Sequence, residues 1–451
     1  MDIRIQKILH KAGIDGAVFF TVLSRVIQGG GGVISIFFIA SYLTKLEQGY
    51  YYTFGSILAI QVFFELGLSG IITQFVAHEF ASLKWKSPIE LEGSEEVMSR
   101  LSSLLHFCIK WFAIVAFILF FILIAAGFLF FNKYGANNNT VNWLLPWTII
   151  SISTACSLMV SPLLSFLEGL GKVKEVAKIR LIQQCCQITV LFICLFAGFK
   201  LYSSPLANIM TLLIAPVCIL FSKNKILLQF IWRQLKIWRI NYRIEIFPYQ
   251  WRIALSWISG YFMYQLFNPV IFATEGAVTA GQMGITLAVL NGILTVSLSW
   301  INTKVPLFSN LIARKEYHSL DLVFNRTVKQ ASMISFFSLF FLVSSVFFIK
   351  KMEIPFGDRF LPLFPLILLS LTTLVNQFVS ALATYLRCHK KEPFLVFSIV
   401  LGILTAISTL VFGKLYGVIG ITIGYCILTV FLSLIWAVLI FKKKKKQWHQ
   451  L

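Results

Sequence analysis

Acidic residues are scarce in this chain, which has 18 Asp and Glu against 39 Lys and Arg among its 451 residues. Charged residues make up only 13% of the sequence, whereas a soluble domain carries about 25%. No polar block between the apolar runs is long enough to form a core of its own. The composition therefore leaves no room for a separate soluble enzymatic domain.

Motifs of the common enzyme classes are also missing. The sequence has no GxSxG, no HExxH, no P-loop and no paired-carboxylate motif. The eight cysteines show neither CxxC spacing nor a histidine at ligand spacing, so we expect no disulfide, no metal and no cofactor. The predicted outward loops are short, whereas membrane polymerases and ligases need an external loop that holds catalytic acidic residues. These absences argue against an enzyme.

Apolar runs fill most of the chain, in which 58% of the residues are hydrophobic. At about 20 apolar residues per crossing, the runs predict an all-α polytopic membrane protein with about twelve transmembrane helices. The predicted spans are 17–42, 49–77, 103–131, 142–167, 177–199, 203–222, 252–273, 281–305, 330–349, 361–386, 393–412 and 418–441. A basic amphipathic connector at 223–251 separates an N-terminal group of six spans (1–222) from a C-terminal group of six (252–441), and a basic tail follows at 442–451.

The basic residues are distributed unevenly between the two sides of the predicted topology. Segments on the side of the N-terminus hold 30 of the 39 Lys and Arg, when they are counted to include Lys178, Arg180, Arg252 and Lys304 at the ends of neighbouring spans. The opposite segments hold 7, and Arg25 and Lys110 lie deeper within spans. Because positive charge collects on the cytoplasmic side, both termini are predicted to be cytoplasmic. The net charge of +21 is thus explained by topology and by contact with membrane lipids, and we expect no nucleic-acid partner.

The first span carries polar residues that a lipid-facing helix would not need. Thr21, Arg25, Gln28 and Ser35 share one face at helical spacing, and the run Gly29–Gly32 lies between them. Arginine inside a span costs about 2.5–3.5 kcal/mol and usually faces a bundle interior or a water-filled cavity. Arg25 alternatively snorkels to the headgroups, and the glycines serve either as a hinge or as a close-packing groove.

The second span holds a carboxylate in its middle. Glu65 shares a face with Gln61, Ser69 and Thr73 at steps of four residues. A carboxylate at this depth must be paired, hydrated or protonated. An Arg25–Glu65 ion pair is one arrangement; it either fixes helix register or breaks when an anion binds Arg25, which would release Glu65 to take up a proton.

Further polar residues lie in or at the ends of other spans. Lys110 lies near the start of the third span, where snorkelling is the alternative to a cavity role. Neutral hydrogen-bonding and aromatic side chains suit a hydroxyl-rich ligand such as a sugar, although each singly is also a candidate for interhelical contact. Gln61 and Lys110 are predicted ligand-binding residues of the first half of the chain. Those of the second half are Tyr261, Gln265, Asn268, Asn291, Trp300 and Lys304.

Four stretches resemble the bacterial O-antigen and polysaccharide flippases of the multidrug/oligosaccharidyl-lipid/polysaccharide (MOP) exporter superfamily. They are LTKLEQGYYYTFGSILAIQVFFELGLSGIITQFVAHE (43–79), WRIALSWISGYFMYQLFNPVIF (251–272), AGQMGITLAVLNGILTVSLSWINTKVPLFSNLIARKEY (280–317) and LDLVF (320–324). The resemblance implies two six-helix lobes around a central cavity that opens alternately to each side. It implies as cargo an undecaprenyl-diphosphate-linked oligosaccharide, moved to the outer leaflet of the bacterial inner membrane with the help of an ion gradient.

The resemblance also suggests roles for the residues above. Arg25 would grip the diphosphate beside Gln28, Lys304 would make a first phosphate contact next to Trp300, and Glu65 would couple transport to the ion gradient. A polysaccharide polymerase and the chain-length machinery become candidate partners. The alternatives are a drug/cation antiporter of the same superfamily and, from a different class, a membrane polysaccharide polymerase or ligase.

Overall fold

The computed structural model describes residues 16–87, 89–135, 141–389 and 391–449. For several residues of the first helix, including Arg25, Gln28 and Gly29, and for Tyr249 and Arg252, only the backbone is described. The helices of the first half are α1 Gly16–Tyr42, α2 Lys45–Leu58, α3 Val62–Glu65, α4 Leu68–Phe80, α5 Glu95–Tyr134, α6 Leu144–Gly169, α7 Val173–Phe196, α8 Ser203–Leu220 and α9 Asn224–Trp232. Those of the second half are α10 Phe247–Tyr264, α11 Phe267–Glu275, α12 Ala277–Asn302, α13 Val305–Ala313, α14 Tyr317–Lys351, α15 Leu363–Arg387, α16 Leu395–Ile427 and α17 Leu434–His449. A short antiparallel hairpin of β1 Lys84–Ser87 and β2 Glu90–Glu92 follows α4.

Nine helical segments of the described chain are long and apolar enough to cross a membrane. The first predicted span corresponds to α1, the seventh is divided between α10 and α11, and the segment Leu395–His449 contains the last two. Each of the twelve predicted spans is therefore helical over most of its length, and the all-α polytopic membrane fold is confirmed. The side of the membrane on which the termini lie stays a prediction.

Two spans predicted as continuous are broken in the structure. The second span stops at Glu65 because Leu66 and Gly67 adopt left-handed backbone angles, with φ of 49° and 67°, and it resumes as α4. Glycine adopts such angles at little cost, whereas leucine does so only under strain. The seventh span is interrupted between Tyr264 and Phe267. Hydropathy does not show the first break, because leucine and glycine, which form it, also occur within continuous spans.

The last two predicted spans are joined by a kink instead of a loop. Gly417 takes φ 58° and ψ −139° within α16, and the Glu275 carboxylate accepts a 2.7 Å hydrogen bond from the backbone N–H of Val418. A carboxylate at this position caps the helical segment that begins after the kink. One side chain therefore ties the C-terminal end of α11 to the kink within α16.

Packing divides the chain into two compact units. The first contains the described residues of Met1–Ser35, Ile60–Lys133 and Asn142–Trp257, and the second those of Ile36–Ala59, Tyr134–Val141 and Ile258–Leu451. The chain thus passes from the first unit to the second within the first predicted span and returns to the first unit within the second predicted span. The predicted six-helix lobes, 1–222 and 252–441, stay a prediction.

Glycines bring α2 and α12 into close contact within the second unit. A Cβ on Gly281 would lie 2.9 Å from the backbone nitrogen of Gly49, and one on Gly49 would overlap the carbonyl of Ala277. Gln48 Nε2 donates to the Gly281 carbonyl at 2.8 Å and Arg359 Nη1 donates to Gln48 Oε1 at 3.1 Å. Small residues at the crossing allow this approach, as is usual between membrane helices.

The connector (residues 223–251) is held against α5 in the first unit. After α9 it runs without regular structure to a π-helical turn at Tyr242–Ile246. Ser99 Oγ donates to the Trp238 carbonyl at 2.8 Å, and Ser103 Oγ accepts from the Ile240 N–H at 3.0 Å. These serines replace the backbone partners that a helix or strand would have supplied. The predicted lipid contact of the connector stays a prediction.

One arginine joins three elements at the start of α5. Arg100 donates through Nη2 to Glu79 at 2.9 Å and to Glu245 at 2.6 Å, and the three side chains are 25%, 10% and 28% exposed. Burial acts to raise the pKa of Glu245, but the Asn241 N–H and the Arg100 guanidinium together hold it below its usual value. The charged cluster therefore fastens the connector to α4 and α5 while it is fully ionised.

Candidate functional site

Glu65 lies at the C-terminal end of α3, immediately before the left-handed pair that breaks the second span. A Cβ on Gly67 would approach the side chain of Ile253, so only glycine fits there without displacement. Ser69 Oγ nevertheless reaches back across the break and donates to Glu65 Oε1 at 2.8 Å. The predicted shared face of Glu65 and Ser69 is thus preserved, although the helix between them is interrupted.

A chain of hydroxyl groups leads from Glu65 to α6. Ser69 Oγ is 3.2 Å from Ser161 Oγ, and Thr73 Oγ1 donates to the Ser165 carbonyl at 3.1 Å. Helices α4 and α6 can approach closely because Gly169 has no side chain. A Cβ on Gly169 would lie only 2.7 Å from the Thr73 carbonyl oxygen. This packing fixes the two serine hydroxyls at hydrogen-bond distance in the first unit.

Ser161 also lines a cavity of about 210 Å³ in the same unit. The other lining residues are Ser157, Val160, Leu164, Arg180, Gln183 and Leu212. The cavity is polar and large enough for several water molecules. Glu65 is therefore linked through Ser69 and Ser161 to the cavity that Arg180 and Gln183 also line.

Arg180 supplies the positive charge of this cavity. It lies in the second turn of α7 and donates to Glu168 Oε2 at 2.8 Å, with 49% of its side chain exposed. Gln183, one turn further along, donates to the Thr211 carbonyl at 2.9 Å. A half-exposed ion pair is weak, so an anion entering the cavity can compete with Glu168 for the guanidinium.

Sequence reasoning missed Arg180, Ser157 and Ser161 as site residues. Arg180 counts among the basic residues of the predicted cytoplasmic side, at the start of the fifth span, although it lies three residues before Gln183 and shares its helix face. That spacing was a signal that could have been used. The serines gave no such signal, because their role depends on contact between α4 and α6.

The predicted residues of the first span lie largely outside the described side chains. The side chains of Arg25, Gln28 and Gly29 are not described, so the Arg25–Glu65 pair stays a prediction. α1 runs without a break through Gly30–Gly32, and a Cβ on Gly31 would overlap the side chain of Ile188 in α7. Ser35 Oγ donates to the Gly31 carbonyl at 2.7 Å. The hinge role of the glycines stays a prediction.

Lys110 and Gln61 do not line the cavity. Lys110 lies on an exposed position of α5 and makes no ion pair with any residue that the structure describes. Gln61 is half-buried at the end of the short 3₁₀ turn that precedes α3. The position of Lys110 on an exposed surface is the one that snorkelling requires.

Three predicted residues of the second unit lie around the break between α10 and α11. Tyr261 is buried near the end of α10, and Gln265 lies within the break. Asn268 is buried and donates through Nδ2 to Ser56 Oγ at 3.2 Å. That bond ties α11 to α2, which is the interhelical role left open by the sequence.

The predicted residues of α12 do not share one face. Asn291 and Trp300 are nine residues apart, which places them on opposite sides of a helix with 3.6 residues per turn. Both are exposed, and Lys304, also exposed, follows the end of α12 on the side of Trp300. The structure therefore separates Asn291 from the Trp300–Lys304 pair.

The fold resembles those of solved transporters. A multidrug resistance MATE family transporter of the MOP superfamily, in an inward-facing conformation, aligns over 91% of this chain and 99% of its own, with TM-score 0.60 and 14% identity. The lipid II flippase MurJ, in an inward closed conformation, aligns over 95% and 87%, with TM-score 0.58 and 15% identity. A MOP superfamily transporter from Pyrococcus furiosus, described as having a binding pocket of reverse polarity, aligns over 95% and 96%, with TM-score 0.53 and 12% identity.

At these identities the similarity shows the fold alone. No protein-family model matches the sequence, and no curated protein matches it at a significant level. The similarity agrees with the fold that the resemblance implies, and membership of the superfamily and of the narrower O-antigen flippase family stays a prediction.

Proposed function

We propose that the chain is a MOP-superfamily transporter that moves an undecaprenyl-diphosphate-linked oligosaccharide across the bacterial inner membrane by alternating access. The observation that carries the proposal is the polar cavity at Arg180, connected through Ser161 and Ser69 to Glu65. Ionisable groups inside a membrane span are expensive and usually functional. The fold alone does not select a cargo, because multidrug transporters share it with a lipid II flippase.

The chemistry of the cavity favours an anionic, hydroxyl-rich cargo. A guanidinium binds phosphate oxygens through two parallel hydrogen bonds, and Arg180 can offer such a fork when its weak pairing with Glu168 is exchanged. Ser157, Ser161 and Gln183 supply neutral donors and acceptors of the kind that sugar hydroxyls need. Arg25 in the first span is the second cation proposed to contact the diphosphate.

Glu65 is the proposed site of ion coupling. Its Oε1 already accepts one hydrogen bond from Ser69, and the hydroxyl chain to Ser161 offers a route for a proton between the carboxylate and the cavity. Uptake of a proton by Glu65 would remove its negative charge, which lowers the repulsion that an entering diphosphate experiences. Anion binding and protonation would thereby favour each other.

A drug/cation antiporter is the second candidate, and the same carboxylate favours it. A cationic drug would pair with Glu65 in the way that a phosphate would pair with Arg180. The two candidates differ in which substitution abolishes transport. Removal of the guanidinium should abolish transport of an anionic cargo and spare transport of a cationic one. Removal of the carboxylate should impair both, through ion coupling in the first case and through cargo binding in the second.

The experiment is deletion and rescue of surface polysaccharide in the native host, at matched membrane levels of protein. We expect Arg180→Ala and Glu65→Gln to trap finished lipid-linked repeat units on the cytoplasmic leaflet, while Lys414→Ala, which changes an exposed cation far along the chain, behaves as wild type. Arg25→Lys should retain more export than Arg25→Ala because the positive charge survives. It should retain less than wild type because lysine cannot form the two parallel hydrogen bonds of the guanidinium.

Three other outcomes would count against the proposal. Repeat units that reach the outer leaflet but are not polymerised would indicate a polymerase. Normal export together with loss of resistance to cationic drugs in the deletion strain would indicate an antiporter. Full export by Arg180→Ala would remove the cavity from the transport path.

A further inference from the structure

A second cavity, outside the site described above, opens on the surface of the second unit. It is a groove of about 640 Å³ between α14, α15 and α17. Five residues of α14 form one wall, namely Lys329, Ser332, Met333, Phe336 and Phe337, and apolar residues of α15 and α17 form the rest. Its volume lies in the range of binding sites for small molecules, and its lining is almost wholly apolar.

The groove follows one face of α14 and is long enough to hold part of an acyl chain. Lys329, Met333, Phe336 and Phe337 repeat at helical spacing along one face, and eight residues of helix extend about 12 Å. Met333, Phe336 and Phe337 are 49%, 53% and 64% exposed. On a helix that is apolar enough to cross a membrane, such side chains face hydrocarbon.

One end of the groove is polar. Lys329 is exposed, makes no ion pair with any described residue, and lies directly before the apolar run 330–349, where headgroups begin. Ser332 Oγ donates to Gln377 Oε1 at 3.0 Å, while Gln377 Nε2 is buried and has no hydrogen-bond acceptor in the described chain. Gln377 is fully buried behind Ser332 and does not line the groove, so the headgroup end presents one cation, Lys329, without an ion-pair partner among the described residues.

We propose that this groove is a binding site for an anionic phospholipid, with one acyl chain along Met333–Phe337 and the phosphate at Lys329. A phosphodiester carries one negative charge, which the single lining cation can match. A polyisoprenyl diphosphate carries at least two, and the groove offers no second cation to neutralise them. The site is thus distinct from the cargo site proposed in the first unit and does not depend on the proposed function.

Lipid retention by the purified full-length protein tests the site. Native mass spectrometry would compare phosphatidylglycerol with phosphatidylcholine of identical acyl chains, for wild type, Lys329→Ala and Lys351→Ala. Lys351 is exposed at the opposite end of α14 and is the matched control. A cation near a headgroup contributes about 1 kcal/mol, so Lys329→Ala should lose about fivefold of the preference for phosphatidylglycerol and Lys351→Ala none.

A second variant tests the groove itself. Met333→Trp fills the groove while leaving Lys329 in place, and it should reduce the retention of both lipids; an unchanged thermal unfolding midpoint would show that the fold is intact. Equal retention of both lipids by wild type, or equal effects of Lys329→Ala and Lys351→Ala, would overturn the proposal. Displacement of phosphatidylglycerol by inorganic phosphate would also overturn it, because it would indicate an anion site. Displacement by equimolar polyisoprenyl diphosphate would overturn it as well.

Discussion

Replacing Arg100 by alanine is expected to loosen the connector from α5 without unfolding the membrane spans. The guanidinium makes hydrogen bonds to two carboxylates that are only 10% and 28% exposed. A hydrogen bond to a charged group contributes about 1.5–3 kcal/mol, and an isolated exposed ion pair about 0–1 kcal/mol. For this partly exposed cluster we expect a loss of about 2 kcal/mol, shared between the contacts to Glu79 and Glu245.

Hydrogen exchange of the backbone amides measures this loss directly. The N–H groups of Lys236 and Ile240 donate to Ser99 and Ser103, so they exchange only when the connector opens. A loss of about 2 kcal/mol corresponds to about 30-fold faster exchange at these amides. Amides in the middle of α5 should keep their wild-type rates, because the cluster lies at its first turns.

The control is Arg180→Ala, which removes an ion pair of the same unit that does not touch the connector. It should leave the exchange of residues 236–240 unchanged. The reasoning is refuted if Arg100→Ala leaves these rates within about twofold of wild type, since the serine hydrogen bonds would then hold the connector by themselves. Faster exchange throughout α5 would also refute it, because the cluster would then stabilise the whole unit.

Three further predictions concern single residues. Gly417→Ala should destabilise the protein by about 1–3 kcal/mol, because the φ of Gly417 is left-handed and a Cβ there would overlap the Glu275 carboxylate. The thermal unfolding midpoint in detergent should fall, and an unchanged midpoint would contradict this prediction. Gly49→Ala should also cost about 1–3 kcal/mol by forcing α2 from α12, whereas Gly55→Ala, which meets open space, should be neutral or stabilising. Acidification should loosen the connector, because the pKa of Glu245 is lowered in the folded protein. The stability that this lowered pKa contributes is complete above the unfolded pKa of about 4.3 and is lost as the pH falls through the folded pKa. Glu245→Gln should abolish this pH dependence of amide exchange.

The positions of the helices were largely predictable, because each span needs about 20 apolar residues and the chain has few charges with which to interrupt them. The ends were less predictable. α5 begins at Glu95, about two turns before the apolar run at 103, because its first turns pack against the connector and not against lipid. The break at Leu66–Gly67 was not predictable from hydropathy.

The candidate site was predicted in part. Glu65 and Ser69 were identified together because both spacing and polarity mark them in an apolar span. Arg180 was overlooked because a cation near the end of a span has an ordinary explanation in topology. Asn268 was assigned to ligand binding, whereas its hydrogen bond to Ser56 joins two helices.

The sequence by itself determined the class of this protein, namely an all-α membrane fold, since no other arrangement satisfies the backbone of so many apolar segments in lipid. Only the tertiary structure decided which polar residues meet. The Glu65–Ser69–Ser161 chain, the Arg100 cluster and the groove at Lys329 each join residues that are far apart in sequence. Helical periodicity places a side chain on a face, but the partner of that face is set by packing, through close contacts such as those at Gly169 and Gly281.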